Sequence, residues 1–186
     1  MIKYYDMSSI NDDVKDLIKI KFEALLKDSN FIYNTQNFED RFKKYTLCQH
    51  VVGVSSGTAA LHLSLKAIGI EPGDAVATVS HTFRATVAAI KYCNAEPVYV
   101  DINPYNYCMD PRKLDETLKT RPDIKAVVVV HLYGNAADMK TILQVTKKYN
   151  VKVIEDCSQA HGTYIENQHV GTFGDIGTLV FFLAKV

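Results

Sequence analysis

The sequence lacks the features that mark several classes of protein. It has no excess charge, since 21 Lys and Arg residues balance 21 Asp and Glu residues, whereas nucleic-acid modules and polybasic membrane binders need a positive field. Its longest apolar runs, 126–130 and 179–184, are far shorter than the roughly 20 residues that span a bilayer. No apolar signal core follows Met1. We therefore expect a globular protein without a nucleic-acid or membrane partner.

Cysteine and histidine patterns of metal sites and disulfide scaffolds are also missing. The four cysteines are Cys48, Cys93, Cys108 and Cys157. They form no C-x-x-C pair, which favours reduced thiols in a cytoplasmic protein. The nearest metal-like combination is His161 with His169 and Asp175, but no paired-histidine spacing supports it, so we expect no metal. P-loop, dinucleotide-binding and serine-hydrolase motifs are absent as well.

What the chain does contain is an alternation of short apolar runs and amphipathic stretches. Residues 12–27 have helical periodicity, with Asn11 as a candidate cap. The predicted strands are 51–55, 75–80, 97–101, 126–131, 151–157 and 178–183, and the predicted helices between them are 58–68, 84–93, 111–120 and 137–149. This order predicts an α/β fold, with helices on both faces of a mostly parallel central sheet. We expect an N-terminal helical segment at 1–50 and one domain at 51–186.

In such sheets ligands bind outside the carboxyl ends of the strands, so the strand-to-helix turns are the places to search. The turn with Gly57 and Thr58 offers free backbone amides at a helix start, which suit a phosphate; a capped helix without a ligand is the alternative. Phe83 follows the next strand and could lie on a planar ring or belong to the core. Both interpretations remain open at this level.

Charged residues end two of the later strands. Strand alternation puts Ile154 and Asp156 on one face and Val153 and Glu155 on the other. A carboxylate at the end of an apolar strand needs a positive partner, which could be a protonated pyridine nitrogen or a structural cation. Lys185 follows an apolar run, where burial could lower its pKa and make it a Schiff-base amine; a solvated chain end is the alternative.

The order of these turns is more specific than any one of them. They read SSGTAAL at 55–61, SHTFRAT at 80–86, HLYG at 131–134 with ADM at 137–139, EDCSQAHG at 155–162 and GDIG at 174–177. This series resembles the DegT/DnrJ/StrS family of nucleotide-sugar aminotransferases, over residues 31–185. The resemblance implies the fold of aspartate aminotransferase, with an incomplete large domain and no small C-terminal domain here, and pyridoxal 5'-phosphate (PLP) as cofactor.

The resemblance also implies roles for individual residues. The implied phosphate ligands are Gly57, Thr58 and Ala59, and the implied ring contacts are Phe83 by stacking, Asp156 at the ring nitrogen and Gln159 at the ring hydroxyl. Lys185 falls at the position of the catalytic lysine that binds the cofactor. It favours the transaminase branch, since related dehydratases carry histidine there. Such an aspartate would keep the ring able to accept electron density.

The implied reaction moves an amino group from an amino acid, usually glutamate, to a keto-sugar nucleotide used for polysaccharide or lipopolysaccharide synthesis. The family resemblance also implies a homodimer. Two other functions remain open: a non-catalytic remnant that binds no cofactor, and a dehydratase of the same fold that uses the pyridoxamine form (PMP).

Agreement with the family pattern fades after Gly177. Val180 stands where the family usually has a serine that binds the phosphate, and residues 183–184 depart from the usual Pro-Ser/Thr. Family chains are longer and include a second, small domain. We therefore expect a truncated product that is weak or inactive alone. The DNA sequence beyond codon 177 would test the truncation.

Overall fold

The computed structural model describes residues 12–28 and 35–181 of the 186-residue chain. The predicted cap Asn11 and the predicted catalytic Lys185 lie outside the described residues. The helices are α1 (Asp12–Asp28), α2 (Gln36–Thr46), α3 (Gly57–Ala67), α4 (Arg84–Tyr92), α5 (Pro111–Thr120) and α6 (Met139–Tyr149). The strands are β1 (Ala75–Val79), β2 (Glu96–Val100), β3 (Ile124–Val130), β4 (Lys152–Asp156), β5 (Tyr164–Ile165), β6 (Gln168–His169) and β7 (Ile176–Thr178). None of these helices is both long enough and apolar enough to cross a membrane.

Five strands form one sheet in the order β2-β1-β3-β4-β7, and every neighbouring pair is parallel. On one face, Leu114 of α5 and Ile142 of α6 belong to an apolar cluster with Val127 of β3. On the other face, Leu65 of α3 and Ile90 of α4 belong to a second cluster with the alternate strand residues. The prediction of an α/β fold with helices on both faces of a parallel sheet is therefore confirmed.

Capping residues explain where several helices start. Asp110 precedes α5 and accepts a hydrogen bond from the backbone N–H of Arg112 at 2.8 Å, while Pro111 occupies the first turn, where no N–H is needed. Asp138 caps α6 through the N–H of Thr141. The predicted helix 111–120 has the observed bounds, and the other predicted helices between strands agree with the structure to within two residues.

Two strand predictions were wrong. Residues 51–55 pair with no strand among the described residues; instead the N–H of Gly53 donates to Oε1 of Glu39 at 2.7 Å. An extended run becomes a strand only where a neighbour takes its backbone hydrogen bonds. The strand predicted at 178–183 lies earlier, as β7, and residues 179–181 form no strand. Residues 182 and 183 lie outside the described part of the chain.

Helix α2 and the β5–β6 hairpin were not predicted individually, and they contact each other. The Tyr45 ring of α2 lies edge-to-face against the ring of His169, with centroids 5.6 Å apart. His169 is buried, and its Nε2 accepts the N–H of Gly162 at 3.3 Å. The division into a segment at 1–50 and a domain at 51–186 stays a prediction.

Candidate functional site

A cavity of about 260 Å³ lies at the carboxyl ends of the parallel strands. Its wall comprises Ser56, Gly57, Thr58, Leu61, Thr82, Phe83, Ala85, Val130, His131, Leu132, Asp156, Ser158, Gln159 and Val180. These residues come from the start of α3, the turns after β1 and β3, the end of β4 and the segment after β7. The location is the one expected for ligands of a parallel sheet.

Asp156 is the buried acid of this wall, with 4% of its surface exposed. One carboxylate oxygen accepts the Thr86 hydroxyl at 2.9 Å. The other accepts both the hydroxyl and the N–H of Ser158, at 2.6 and 3.1 Å. None of the ion pairs among residues 12–28 and 35–181 includes Asp156. The carboxylate is thus oriented by neutral donors and borders a cavity that could hold a cationic ligand group.

The start of α3 forms another part of the wall. The Ser56 side chain accepts the N–H of Ala59 at 3.1 Å, and its carbonyl oxygen accepts the N–H of Ala60. The N–H groups of Gly57 and Thr58 come earlier in the first turn, where a helix has no internal acceptor for them. With the helix dipole, these N–H groups make this end of the cavity suited to an anion. Ala59 is not part of the wall.

Val180 closes the cavity beside this helix start. A Cβ atom added to Gly57 would lie 3.0 Å from Cβ of Val180, so the two residues pack at a distance that only glycine allows without adjustment. The next residue, Phe181, contacts the rings of Phe38 and Phe42 in α2, with centroids 5.1 and 5.3 Å apart. These contacts hold the isopropyl group of Val180 beside the start of α3.

Phe83 and Gln159 supply the remaining predicted side chains. Phe83 lines the cavity and keeps 54% of its surface exposed, so it is not a core residue. The side-chain oxygen Oε1 of Gln159 accepts the backbone N–H of Tyr133 at 3.0 Å. Because its oxygen is already paired, the amide nitrogen of Gln159 is the group suited to donate to a ligand.

His131 belongs to the wall, and it forms a fully buried pair with Glu155, which is not part of the wall. Nε2 of His131 lies 3.0 Å from one oxygen of Glu155, and Nδ1 accepts the N–H of Ala137 at 3.1 Å. Because Nδ1 accepts, the ring proton is on Nε2 and is donated to the carboxylate. A neutral imidazole therefore orients this part of the wall.

Glu155 also holds the loop that leads into β7. Its carboxylate accepts the N–H groups of Gly171, Phe173 and Gly174 at 2.7–2.8 Å. Burial acts to raise the pKa of Glu155, but the hydrogen bonds from His131 and from the backbone of Gly174 and Gly171 hold it below its ordinary value. Glu155 is thus a structural carboxylate, unlike its neighbour Asp156.

One group of metal-ligand side chains lies close together within the described ranges: His131, Glu155 and Cys157, whose ligand atoms are all within 4.8 Å of one another. The nitrogens of His131 and the oxygens of Glu155 already have hydrogen-bond partners. His161, His169 and Asp175, the combination considered from the sequence, do not form such a group among the described residues. The carboxylate of Asp175 instead pairs with Lys152 at 2.7 Å.

Five of the predicted cofactor residues meet in the cavity wall, namely Gly57, Thr58, Phe83, Asp156 and Gln159. Ala59 lies just outside this wall, and Lys185 is outside the described residues. No role was predicted for Thr86, Ser158 or Ser56. The Asp-x-Ser spacing after β4 could have indicated Ser158, but Thr86 is 70 residues from Asp156 and had no local signal.

Comparison with known proteins supports one family. The model of the DegT/DnrJ/EryC1/StrS aminotransferase family matches residues 14–186. The dTDP-3-amino-3,6-dideoxy-alpha-D-galactopyranose transaminase of Aneurinibacillus thermoaerophilus is 39% identical, over 97% of this chain and 50% of the relative. GDP-perosamine synthase of Escherichia coli O157:H7 is 42% identical, over 79% of this chain and 40% of the relative.

Solved structures agree with the sequence relatives. A DegT DnrJ EryC1 StrS aminotransferase from Brucella abortus superposes with a TM-score of 0.95 at 28% identity, over 98% of this chain and 51% of that one. NtdA of Bacillus subtilis, solved with the bound cofactor PMP, gives a TM-score of 0.84 at 36% identity, over 93% of this chain and 39% of that one. The chain thus spans about half the length of the relatives it matches.

Proposed function

The chain belongs to the DegT/DnrJ/EryC1/StrS aminotransferase family, and from this premise we propose that it is a PLP-dependent aminotransferase polypeptide that acts on a keto-sugar nucleotide. The observation that carries the proposal is Asp156, a buried carboxylate that borders the cavity and is oriented by Thr86 and Ser158. A protonated pyridine nitrogen is the cationic group that would complete its environment.

The other residues of the wall fit the same ligand. The amides of Gly57 and Thr58 would hold a phosphate at the start of α3. Phe83 would cover one face of the ring, and the Gln159 amide would donate to the ring hydroxyl. Ala59 would join only if its N–H left the Ser56 side chain.

The bound cofactor would supply the electron sink for removal of a proton from the amino-acid carbon. Asp156 would keep the ring nitrogen protonated, which sustains that sink. Lys185 would attach the cofactor through its amine and then carry the proton. The neutral His131 would stay a positioning residue, because its Nε2 proton is committed to Glu155.

The relatives bear on the substrate class. Their names include a dTDP-sugar transaminase and a GDP-sugar synthase, so we propose a nucleoside-diphosphate sugar as acceptor and glutamate as donor. We also propose a homodimer, in the cytoplasm, where the free thiols Cys93, Cys108 and Cys157 would stay reduced. The expectation that the 186-residue chain alone is weak or inactive stays a prediction.

Cofactor titration tests the proposal. Saturable binding of PLP with a visible absorbance band is expected for the wild type; the band should be lost in Lys185→Ala, and affinity should fall at least tenfold in Asp156→Asn. Asp175→Asn is the matched control, because Asp175 pairs with Lys152 outside the cavity wall.

Absence of cofactor binding would instead favour the non-catalytic remnant. With PLP bound, an amino sugar formed from glutamate and a keto-sugar nucleotide would support the aminotransferase, at the low rate expected of this chain alone. A deoxygenated sugar as the product would favour the dehydratase.

A further inference from the structure

Three aromatic rings stand together beside the mouth of the cavity: His81, Tyr107 and Tyr133. Their centroids are 6.0 Å apart for the two pairs with His81 and 6.2 Å apart for the two tyrosines. All three side chains are exposed, Tyr107 by 45% and Tyr133 by 65%. We call these three residues the aromatic platform.

The platform is continuous with the cavity wall. His81 precedes Thr82, and Tyr133 follows Leu132, both of which line the cavity. The N–H of Tyr133 is also bound by Gln159, a third wall residue. Two of the three platform residues thus adjoin wall residues in the chain, and one is hydrogen-bonded to the wall.

The backbone holds the two tyrosines in an unfavourable conformation. Their φ angles are 60° at Tyr107 and 58° at Tyr133, in the left-handed region that residues with a large side chain rarely adopt. The N–H of Tyr107 donates to the carbonyl oxygen of Asn103 at 2.9 Å, and the Asn135 amide joins the two loops by donating to the carbonyl oxygen of Asn106 at 3.2 Å. The surroundings thus fix two strained residues whose rings face solvent, a pattern typical of ligand-binding positions.

We propose that the aromatic platform binds the sugar ring of the nucleotide-sugar substrate while the keto carbon lies in the cavity. This inference rests on the proposed function. The platform offers apolar ring surface for the C–H face of a sugar, and phenol and imidazole groups for its hydroxyls. The platform contains no lysine or arginine, the side chains that usually bind a diphosphate, so it suits the sugar better. The nucleobase lies beyond the diphosphate and thus further from the cavity.

The test compares ligands with and without the sugar. Binding of dTDP-glucose, UDP-glucose and GDP-mannose, which carry no ketone and cannot react, is measured by calorimetry on the PLP-loaded chain. dTDP, UDP and GDP are measured in parallel. The variants are Tyr133→Asn and Tyr107→Asn, because asparagine tolerates a left-handed backbone and the ring is removed without new strain. The control is Tyr105→Asn, a 92% exposed tyrosine of the same loop that is not part of the platform.

Among the three nucleotide sugars, the one that binds the wild type most tightly should bind the platform variants about tenfold more weakly, as expected for the loss of one stacking ring. The affinity for the corresponding nucleoside diphosphate should not change. Tyr105→Asn should match the wild type. Equal weakening of both ligands would place the base or diphosphate on the platform and overturn the proposal. An unchanged affinity for the nucleotide sugar would also overturn the proposal. If the variants then sedimented with a smaller mass than the wild type, the platform would instead be a contact with a second copy of the chain.

The same measurements separate this inference from the proposed function. If wild-type protein binds PLP but no nucleotide sugar, the substrate class itself is wrong and the platform proposal falls with it. If wild-type protein binds the nucleotide sugar and the platform variants do so equally well, only the platform assignment fails.

Discussion

Nε2 of His131 donates a hydrogen bond to the carboxylate of Glu155 across 3.0 Å, and neither side chain is exposed to solvent. The same carboxylate receives three backbone N–H groups from the loop before β7. This buried pair thus connects the turn after β3 to the loop that leads into β7. Changes at this pair should affect the stability of the fold more than they affect any ligand contact.

Glu155→Gln should destabilise the protein by about 3 kcal/mol, because an amide cannot accept all of these N–H groups and breaks a buried polar network. Since the pKa of Glu155 is lowered on folding, its stabilisation is present above the unfolded-state value of about 4.3 and is lost as the pH falls through the lower folded-state value. Denaturant unfolding measured from neutral to acidic pH should show that the free energies of unfolding of the wild type and Glu155→Gln converge in acid. Glu116→Gln, at an exposed ion pair with Lys113, should cost less than about 1 kcal/mol. If the free energies of unfolding of the wild type and Glu155→Gln differed by the same amount at every pH, the charged form of Glu155 would not be the source of the stabilisation.

Val180→Thr should strengthen PLP binding about tenfold. It replaces one methyl group of Val180, which packs beside the start of α3, with a hydroxyl donor. Hydrogen bonds to charged groups contribute about 1.5–3 kcal/mol. Pyridoxal, which has no phosphate, should bind both proteins equally. Val180→Ala is the control for volume and should not improve PLP affinity. A parallel gain for pyridoxal would show that Val180 acts on another part of the ligand.

Gly177→Ala should cost about 3 kcal/mol or more, because the new Cβ would overlap the carbonyl oxygen of Gly171 and separate β7 from the loop bound by Glu155. Gly69→Ala is the matched control. Gly69 has a φ of +88° and nothing within 4 Å of an added Cβ, so only backbone strain of about 1 kcal/mol is expected there. Thermal unfolding of both variants measures the difference, and equal losses would refute the steric explanation.

One thiol should react fast with DTNB in the folded protein, and all four in denaturant. Cys48 is only half-buried, whereas Cys93, Cys108 and Cys157 are buried. Burial raises the pKa of all three buried thiols, and the nearby charges of Glu155 and Asp156 raise that of Cys157 further. Cys48→Ser should abolish the fast phase. A second fast thiol in that variant would show that the core opens more readily than its packing indicates.

The parallel sheet and its helices were predictable because each segment carries a local period that matches its burial. The Val-rich strand β3 and the capped helix α5 are clear examples. Residues 51–55 have the same composition as a strand, but pairing depends on a neighbour that a local pattern cannot reveal. The two-residue strands β5 and β6 are too short to produce any period.

Most of the site was predictable because the turns lie at one edge of the sheet. Asp156 and Phe83 were candidates on chemistry and position, their roles came from the family resemblance, and both line the cavity. The hydroxyl of Thr86 and the ring of Tyr107 were not predicted to take part, because they reach the site through contacts between distant segments of the chain. Val180 was identified as a departure from the family pattern, and the structure adds its packing against Gly57.

Two adjacent acids in β4 have opposite surroundings because side chains alternate along a strand. In the observed pairing with β3, Val129 lies beside Glu155 and Val130 beside Asp156. A slip of β4 by one residue would turn Asp156 away from the cavity and would present Glu155 in its place. The carboxylate that faces the cavity is therefore selected by strand register as well as by residue identity. A slip of one residue would thus remove Asp156 from the cavity wall while every side chain of the site remained in the sequence.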